Sequence, residues 1–232
     1  NTVEETLEVP HYEKEAQACC DALVAFAKKQ TTKPVLFPCA DQYVAFISRF
    51  YSTLKEHYLF QYQDPGLAIN LMNKESFSKI AKEHNMKIPL TLTMDDPQLL
   101  FKTEEIGYPW IVKGVDSSHY VETFRVKLHQ VNNPQELKDQ LEACKKHNVK
   151  AIIQQKIVGF DDHMVTYDAH LNLNHQVTHA ITCQKLRQYP INYGASVLTT
   201  VVYQPKLHQI GQAFLEGVKW VGFAELEFKV DA

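Results

Sequence analysis

The chain has 232 residues, 45% hydrophobic and 11% aromatic, which is enough to bury one large core or two small ones and excludes a disordered or fibrous chain. Its formal net charge is only -3 and its 24 basic residues are scattered, so no footprint for nucleic acid or an anionic membrane is present. No apolar run nears the roughly 20 residues of a membrane span, and the opening NTVEETLEVPHYEKEAQ lacks the basic and apolar regions of a signal peptide.

Taken in chain order, Ala16, Cys20, Leu23, Val24 and Ala27 recur at helical spacing and predict an amphipathic helix between His11 and Lys29. Pro34–Phe37 reads as a short buried strand, Cys39–Tyr43 turns into a second helix through Phe46, Ile47 and Phe50, and Tyr58–Phe60 reads as another strand. That alternation suggests part of a parallel α/β layer in residues 1–72, its earlier strands lying before Asn1. Asn73 can cap the next helix, through Phe77, Ile80 and Ala81 to His84, and a domain boundary is placed just before it.

Lys87-Ile88-Pro89 leads into an extended stretch, and Asp95-Asp96-Pro97 opens a helix that Gly107 stops. Tyr108–Lys113 predicts a strand ending in a lysine, Phe124–Val131 a second, Asn133-Pro134 to His147 a helix, and Ala151–Gln155 a buried strand. After Gly159, two or three alternating strands run to about Tyr203 with a loop over Arg187–Gly194. A helix carrying Leu207, Ile210, Phe214, Leu215 and Val218 and a strand over Gly222–Val230 close the chain.

Five cysteines (Cys19, Cys20, Cys39, Cys144, Cys183), odd in number and without C-x-x-C spacing, support neither a disulfide framework nor a zinc cluster and point to a reducing cytoplasm. The eleven histidines show no H-x-x-x-H or H-E-x-x-H spacing. There is also no G-x-x-x-x-G-K-[ST] and no G-x-G-x-x-G, so a P-loop or a dinucleotide fold is not indicated.

What remains is an ordered series of short segments. It comprises N-K-E-S-F at Asn73–Phe77, K-I-P at Lys87–Pro89, G-Y-P-W-I-V-K at Gly107–Lys113, I-I-Q-Q-K-I-V-G-F-D-D at Ile152–Asp162, K-L-R-Q-Y-P at Lys185–Pro190 and G-F-A-E-L-E-F-K-V-D at Gly222–Asp231. In order and spacing it resembles the ATP-grasp superfamily, and within it the carboxylate-amine ligases of D-aspartate ligase or carbamoyl-phosphate synthase type. The resemblance implies an α/β (α+β) chain: part of a Rossmann-like domain over 1–72, then an ATP-grasp domain over 73–232 with a small lobe at 73–155 and a large lobe at 156–232.

The resemblance also assigns roles. Lys74 and Lys113 would approach the phosphates of ATP, and an ammonium at the end of a buried strand is a fixed positive charge suited to that task; a solvated surface lysine is the competing reading, stronger for Lys74. The segment after Lys113 has only Gly114 where the family's phosphate loop is glycine-rich, so Ser117 and Ser118 must serve if it covers phosphate. Backbone groups of Lys156 and Ile157 would meet adenine, with Gln155 standing where a glutamate is common, and Asp161 would hold the ribose, although Asp after Gly is also ordinary turn chemistry.

Lys185 and Arg187 are the candidate catalytic residues, as cations near the γ-phosphate or, for Arg187, on a substrate carboxylate; solvated loop residues are the alternative. Glu227, with Glu225 on the same face of its strand, would bind Mg²⁺, a pattern that equally suits an exposed sheet face. The family's second metal carboxylate comes one strand after Ala232, and both ends of the sequence look cut from a longer polypeptide, so the large lobe is expected to be C-terminally incomplete. The implied reaction transfers the γ-phosphoryl group of ATP to a small-molecule carboxylate, giving an acyl phosphate that an amine attacks. A kinase acting on a hydroxyl, or a nucleotide-binding module without catalysis, are the alternatives; the implied protein is cytoplasmic, without nucleic-acid partners or a membrane span, and a homodimer is an open option.

Overall fold

The computed structural model describes residues 6–61, 63–189, 191 and 194–230; the side chains of Ser118 and Asp161 lie outside what it describes. The chain opens with helices α1 (Ala16–Ala27), α2 (Asp41–Arg49), α3 (Tyr51–His57) and α4 (Pro65–Met72). α4 lies where no element is expected from the sequence, although Asp64-Pro65 is a helix-start signal: Asp64 accepts a hydrogen bond from the Leu67 amide and Pro65 takes the first helical position. The two strands expected here reduce to one parallel bridge between Val35 and Leu59. Cys20, Phe46, Ile47, Leu54, Tyr58 and Ala68 form the core of this part.

Helix α5 (Lys74–Glu83) starts where expected, with the Asn73 side chain accepting from the amides of Glu75 and Ser76. Its buried Ala81 and partly buried Phe77 and Ile80 pack with Phe214 and Leu215, residues of the last helix. Strand β1 (Thr91–Thr93) follows, then α6 (Leu99–Ile106), which begins later than Asp95-Asp96 suggests because Asp96 is spent on the Gln98 amide and the Lys102 ammonium ahead of the helix. β2 (Trp110–Gly114) leads into α7 (Ser117–Phe124), β3 (His129–Val131), α8 (Pro134–Lys146) and β4 (Ala151–Gln155). The strand expected over Phe124–Val131 is thus shorter: Tyr120 and Phe124 fold onto the core as α7 before the chain extends at His129.

These strands form an antiparallel sheet in the order β1-β4-β2-β3. Trp110 and Val112 share one face with the buried Ile153, over a core completed by Tyr120, Leu137 and Cys144, while Lys113 and Gln154 lie on the other. A 3₁₀ turn at Asp161–His163 then enters the second sheet, β5 (Met164–Leu171), β6 (Val177–Tyr189), β7 (Ala195–Val201) and, after α9 (Pro205–Gly217), β8 (Gly222–Lys229). Its order is β7-β6-β5-β8, again antiparallel. β6 runs through Arg187 to Tyr189, so Arg187 lies on a strand rather than in the expected loop; within that loop, Pro190, Asn192 and Tyr193 lie outside the described residues.

One face of the second sheet packs on α9 and α5. Tyr167, Ala169 and Leu171 from β5 and Ala224, Leu226 and Phe228 from β8 supply it. Gly211 permits the closest approach of α9: a Cβ there would stand 2.3 Å from Cδ1 of the fully buried Tyr167 ring. A helical glycine normally gains ~1 kcal/mol on becoming alanine, but overpacking of ~1–3 kcal/mol opposes it. Gly211→Ala is therefore expected to lower Tm by a few degrees in thermal unfolding, and a raised Tm would show that the ring yields. Among the described residues no helix is long and apolar enough to cross a membrane.

Candidate active site

The other face of the second sheet is open. Register sets Thr166 of β5 opposite Glu227 of β8 and Cys183 of β6, and Asp168 opposite Glu225 and Ile181, so these side chains share that face. Lys185 continues the same side of β6. It is only 2% exposed, and its ammonium is bonded to the carboxylate of Glu227 across the intervening β5. Glu225 is held above the usual carboxylate range by partial burial and by the charges of Asp168 and Glu227, with Lys185 acting the other way. Thr166 donates to Asp168 at 2.8 Å.

From the first sheet comes Lys113, whose Nζ donates to Oε1 of Gln154 at 2.8 Å; Gln154 in turn donates to Thr91 at 3.0 Å. Burial lowers the Lys113 pKa to about 8, the positive charge of Lys74 adds to the shift, and the negative charge of Glu227 opposes it. Glu227 belongs to the second sheet and Lys74 to α5, so groups from three elements lie within reach of one another's charge, and the space between the sheets at this point is the candidate cleft. Lys74 donates to the Gly114 carbonyl at 2.9 Å and to Ser117 Oγ at 2.6 Å, and burial depresses its pKa, offset in part by Asp116. Its position at the start of a helix and its partners at the β2–α7 turn hold this half-buried lysine beside β2.

The structure thus brings together Lys74, Ser117, Lys113, Lys185, Glu225 and Glu227 from separate parts of the sequence. Gln155 is placed differently: by alternation it shares the face of Ile153 rather than that of Gln154, and its backbone N–H donates to Leu90 O at 2.8 Å. Lys156 and Ile157 follow β4 on the connection to the second sheet, where Lys156 donates to Gln130 at 2.6 Å. Arg187 is exposed opposite Leu198, beyond an irregularity in the β6–β7 register. Asp161 starts the 3₁₀ turn, which is fixed by Gly159 at φ +129 against His163 and by the bond of 2.9 Å from Val230 N to His163 O. Sequence reasoning missed Gln154, Thr166 and Asp168; strict alternation from the buried Ile153 and Tyr167 would have put all three on the cleft side.

The donor chemistry suits a hard cation only in company. Among the described residues no group of three or more His, Cys, Asp or Glu side chains converges to hold a metal. Glu227 and Glu225 offer carboxylate oxygens on one face, and Mg²⁺ takes one or two protein carboxylates with phosphate oxygens and water filling the shell. The residues therefore fit an ion delivered with a triphosphate.

No family model matches the chain. It is 26% identical to the D-aspartate ligase of Enterococcus faecium (strain Aus0004) over 250 aligned positions, which cover 96% of this chain and 56% of that protein. Among solved structures it is similar to the L-amino acid ligase from Bacillus licheniformis, at TM-score 0.63 and 14% identity over 97% of this chain and 52% of that one. The D-alanine–D-alanine ligase from Bacillus anthracis complexed with ATP gives TM-score 0.61 and 16% identity over 90% and 68%, and biotin carboxylase from Campylobacter jejuni TM-score 0.66 and 14% over 95% and 51%. The chain spans a little over half the length of the curated relative it matches. Its two antiparallel sheets, and the match of 90–97% of the chain to these proteins at TM-scores of 0.61–0.66, give this chain the ATP-grasp fold.

Proposed function

We propose that this chain is the nucleotide-binding part of an ATP-dependent ligase that joins a carboxylate to an amine through an acyl phosphate. The observation that carries the reading is the convergence of Lys74, Lys113 and Lys185 with Glu227 in one cleft. A carboxylate is a poor electrophile, and its activation by phosphoryl transfer needs fixed positive charge around the transferred group more than it needs covalent help from the protein. In this reading Lys74 and Lys113 bind the phosphates, aided by Ser117 and Ser118, and backbone groups of Lys156 and Ile157 meet the base. Asp161 takes the ribose hydroxyls, and Glu227 with Glu225 holds the magnesium of Mg-ATP. That ion, when bound, neutralises charge on the phosphates.

Lys185 lies near the γ-phosphate, and Arg187 serves there or on the substrate carboxylate. Residues 73–155 and 156–232 are the two lobes, and 1–72 belongs to a preceding domain. The similarity to a D-aspartate ligase makes an amino acid the first substrate to test. All five cysteines are free, which suits a reducing, cytoplasmic setting. The test is turnover of the intact protein with Mg-ATP, D-aspartate or other amino acids, and hydroxylamine. ADP release with a trapped hydroxamate is expected, whereas ADP release with a phosphorylated hydroxyl and no hydroxamate would replace the ligase by a kinase.

A further inference from the structure

Each of the three lysines in the cleft already has a protein acceptor. For Lys74 and Lys113 these are neutral: a carbonyl, a serine hydroxyl and a glutamine amide oxygen. Lys185 differs, because its acceptor is the carboxylate that would bind the cation. The pair is also unequal in solvent access. The Lys185 side chain is 3% exposed and that of Glu227 is 54%, so the ammonium depends on Glu227 for its charge partner while the carboxylate could be hydrated without it.

We propose that Lys185 is the resident counter-ion of Glu227, and that it keeps free metal ions off this carboxylate until a nucleotide phosphate accepts its hydrogen bond instead. The inference rests on the reading of Glu227 as a metal ligand. A divalent ion arriving alone would have to approach an ammonium already seated on the ligand, and the displaced Lys185 would lose its hydrogen-bonded carboxylate while buried, keeping only the charge of Glu225 nearby. A triphosphate removes both obstacles, since it offers Lys185 a new anionic acceptor and supplies the oxygens that complete the ion's shell. Lys185 is on this account a positioning residue that makes metal binding conditional on nucleotide. The fold supplies the means: Lys185 on β6 and Glu227 on β8 flank β5, whose residue opposite Glu227 is the small Thr166, so a long side chain can cross above it.

The experiment measures Mn²⁺ affinity, as a probe for Mg²⁺, by the electron paramagnetic resonance of free Mn²⁺ with the intact protein. Wild type, Lys185→Met and Lys185→Gln are compared with and without a non-hydrolysable ATP analogue, and each variant is checked by circular dichroism; the glutamine variant stands in if the methionine one does not fold. In the absence of nucleotide, removing the ammonium is expected to tighten Mn²⁺ binding by about tenfold or more, and adding Glu227→Gln to the same chain to abolish the gain. A merely structural lysine would weaken binding or leave it unchanged, and either result overturns the proposal. If wild type fails to bind the analogue, the ligase reading fails, while the nucleotide-free comparison still decides the role of Lys185.

Discussion

Lys113→Ala is expected to weaken the binding of ATP by roughly 10- to 100-fold, the equivalent of the ~1.5–3 kcal/mol carried by a hydrogen bond to a charged group, while stability should change by no more than ~1 kcal/mol. The two effects separate because the ammonium faces the cleft rather than the core: it is bonded to Gln154, and the apolar packing of β2 runs through Trp110 and Val112 on the opposite face. Removing it leaves no core cavity, only a glutamine with one fewer donor. Equal affinity of wild type and variant in calorimetric titration would remove Lys113 from the site.

The same residue fixes a pH dependence. Its pKa is lowered to about 8 in the free protein by burial and by Lys74. Phosphate oxygens favour the charged form, so above that pH binding takes up a proton. Affinity is therefore full below pH 8 and falls as pH rises past it. Folding has the opposite sign: between about 8 and the ordinary value of 10.5 the unfolded chain binds the extra proton, so this group makes the protein more stable as pH rises. Affinity falling while Tm does not is the signature of Lys113, and Lys113→Arg, which stays charged, should flatten the affinity profile.

Much of this site was legible in order but not in space. Lys113 could be read from the W-I-V before it, and Glu225 and Glu227 from alternation, because both signals are local to one strand. Lys74 could not, since its burial comes from the β2–α7 turn 40 residues away, and a helix-start lysine carries no mark of such a partner. The segment S-S-H-Y was expected as a loop. It is a helix because Tyr120 is fully buried, with its hydroxyl donating to Val112 O at 3.2 Å and paired with His129 at 2.8 Å, contacts across sequence that no local propensity reports. Gln155 was placed in the site by family position alone, and strand alternation sets its side chain on the other face from Gln154.

Glu227→Gln in the intact protein should lower turnover by roughly 100-fold or more, the scale of several kcal/mol of charge stabilisation lost with a metal carboxylate. The fold should persist, because the strand's packing face of Ala224, Leu226 and Phe228 is unchanged and the amide oxygen of Gln can still accept from Lys185. Nucleotide binding should weaken less than turnover, since Lys74 and Lys113 remain. Glu225→Gln makes the necessary contrast. Burial, and then the charges of Asp168 and Glu227 beside it, raise the Glu225 pKa, so neutralising it relieves desolvation and repulsion as well as removing a ligand, and its loss of turnover should be the smaller of the two. Steady-state ADP release and analogue affinity, measured on both variants, decide the matter: a Glu225 variant more impaired than the Glu227 variant would exchange their roles. Full activity in the Glu227 variant would leave the lysines of the cleft without the carboxylate that, on this reading, joins metal to nucleotide, and would remove Glu227 from the site.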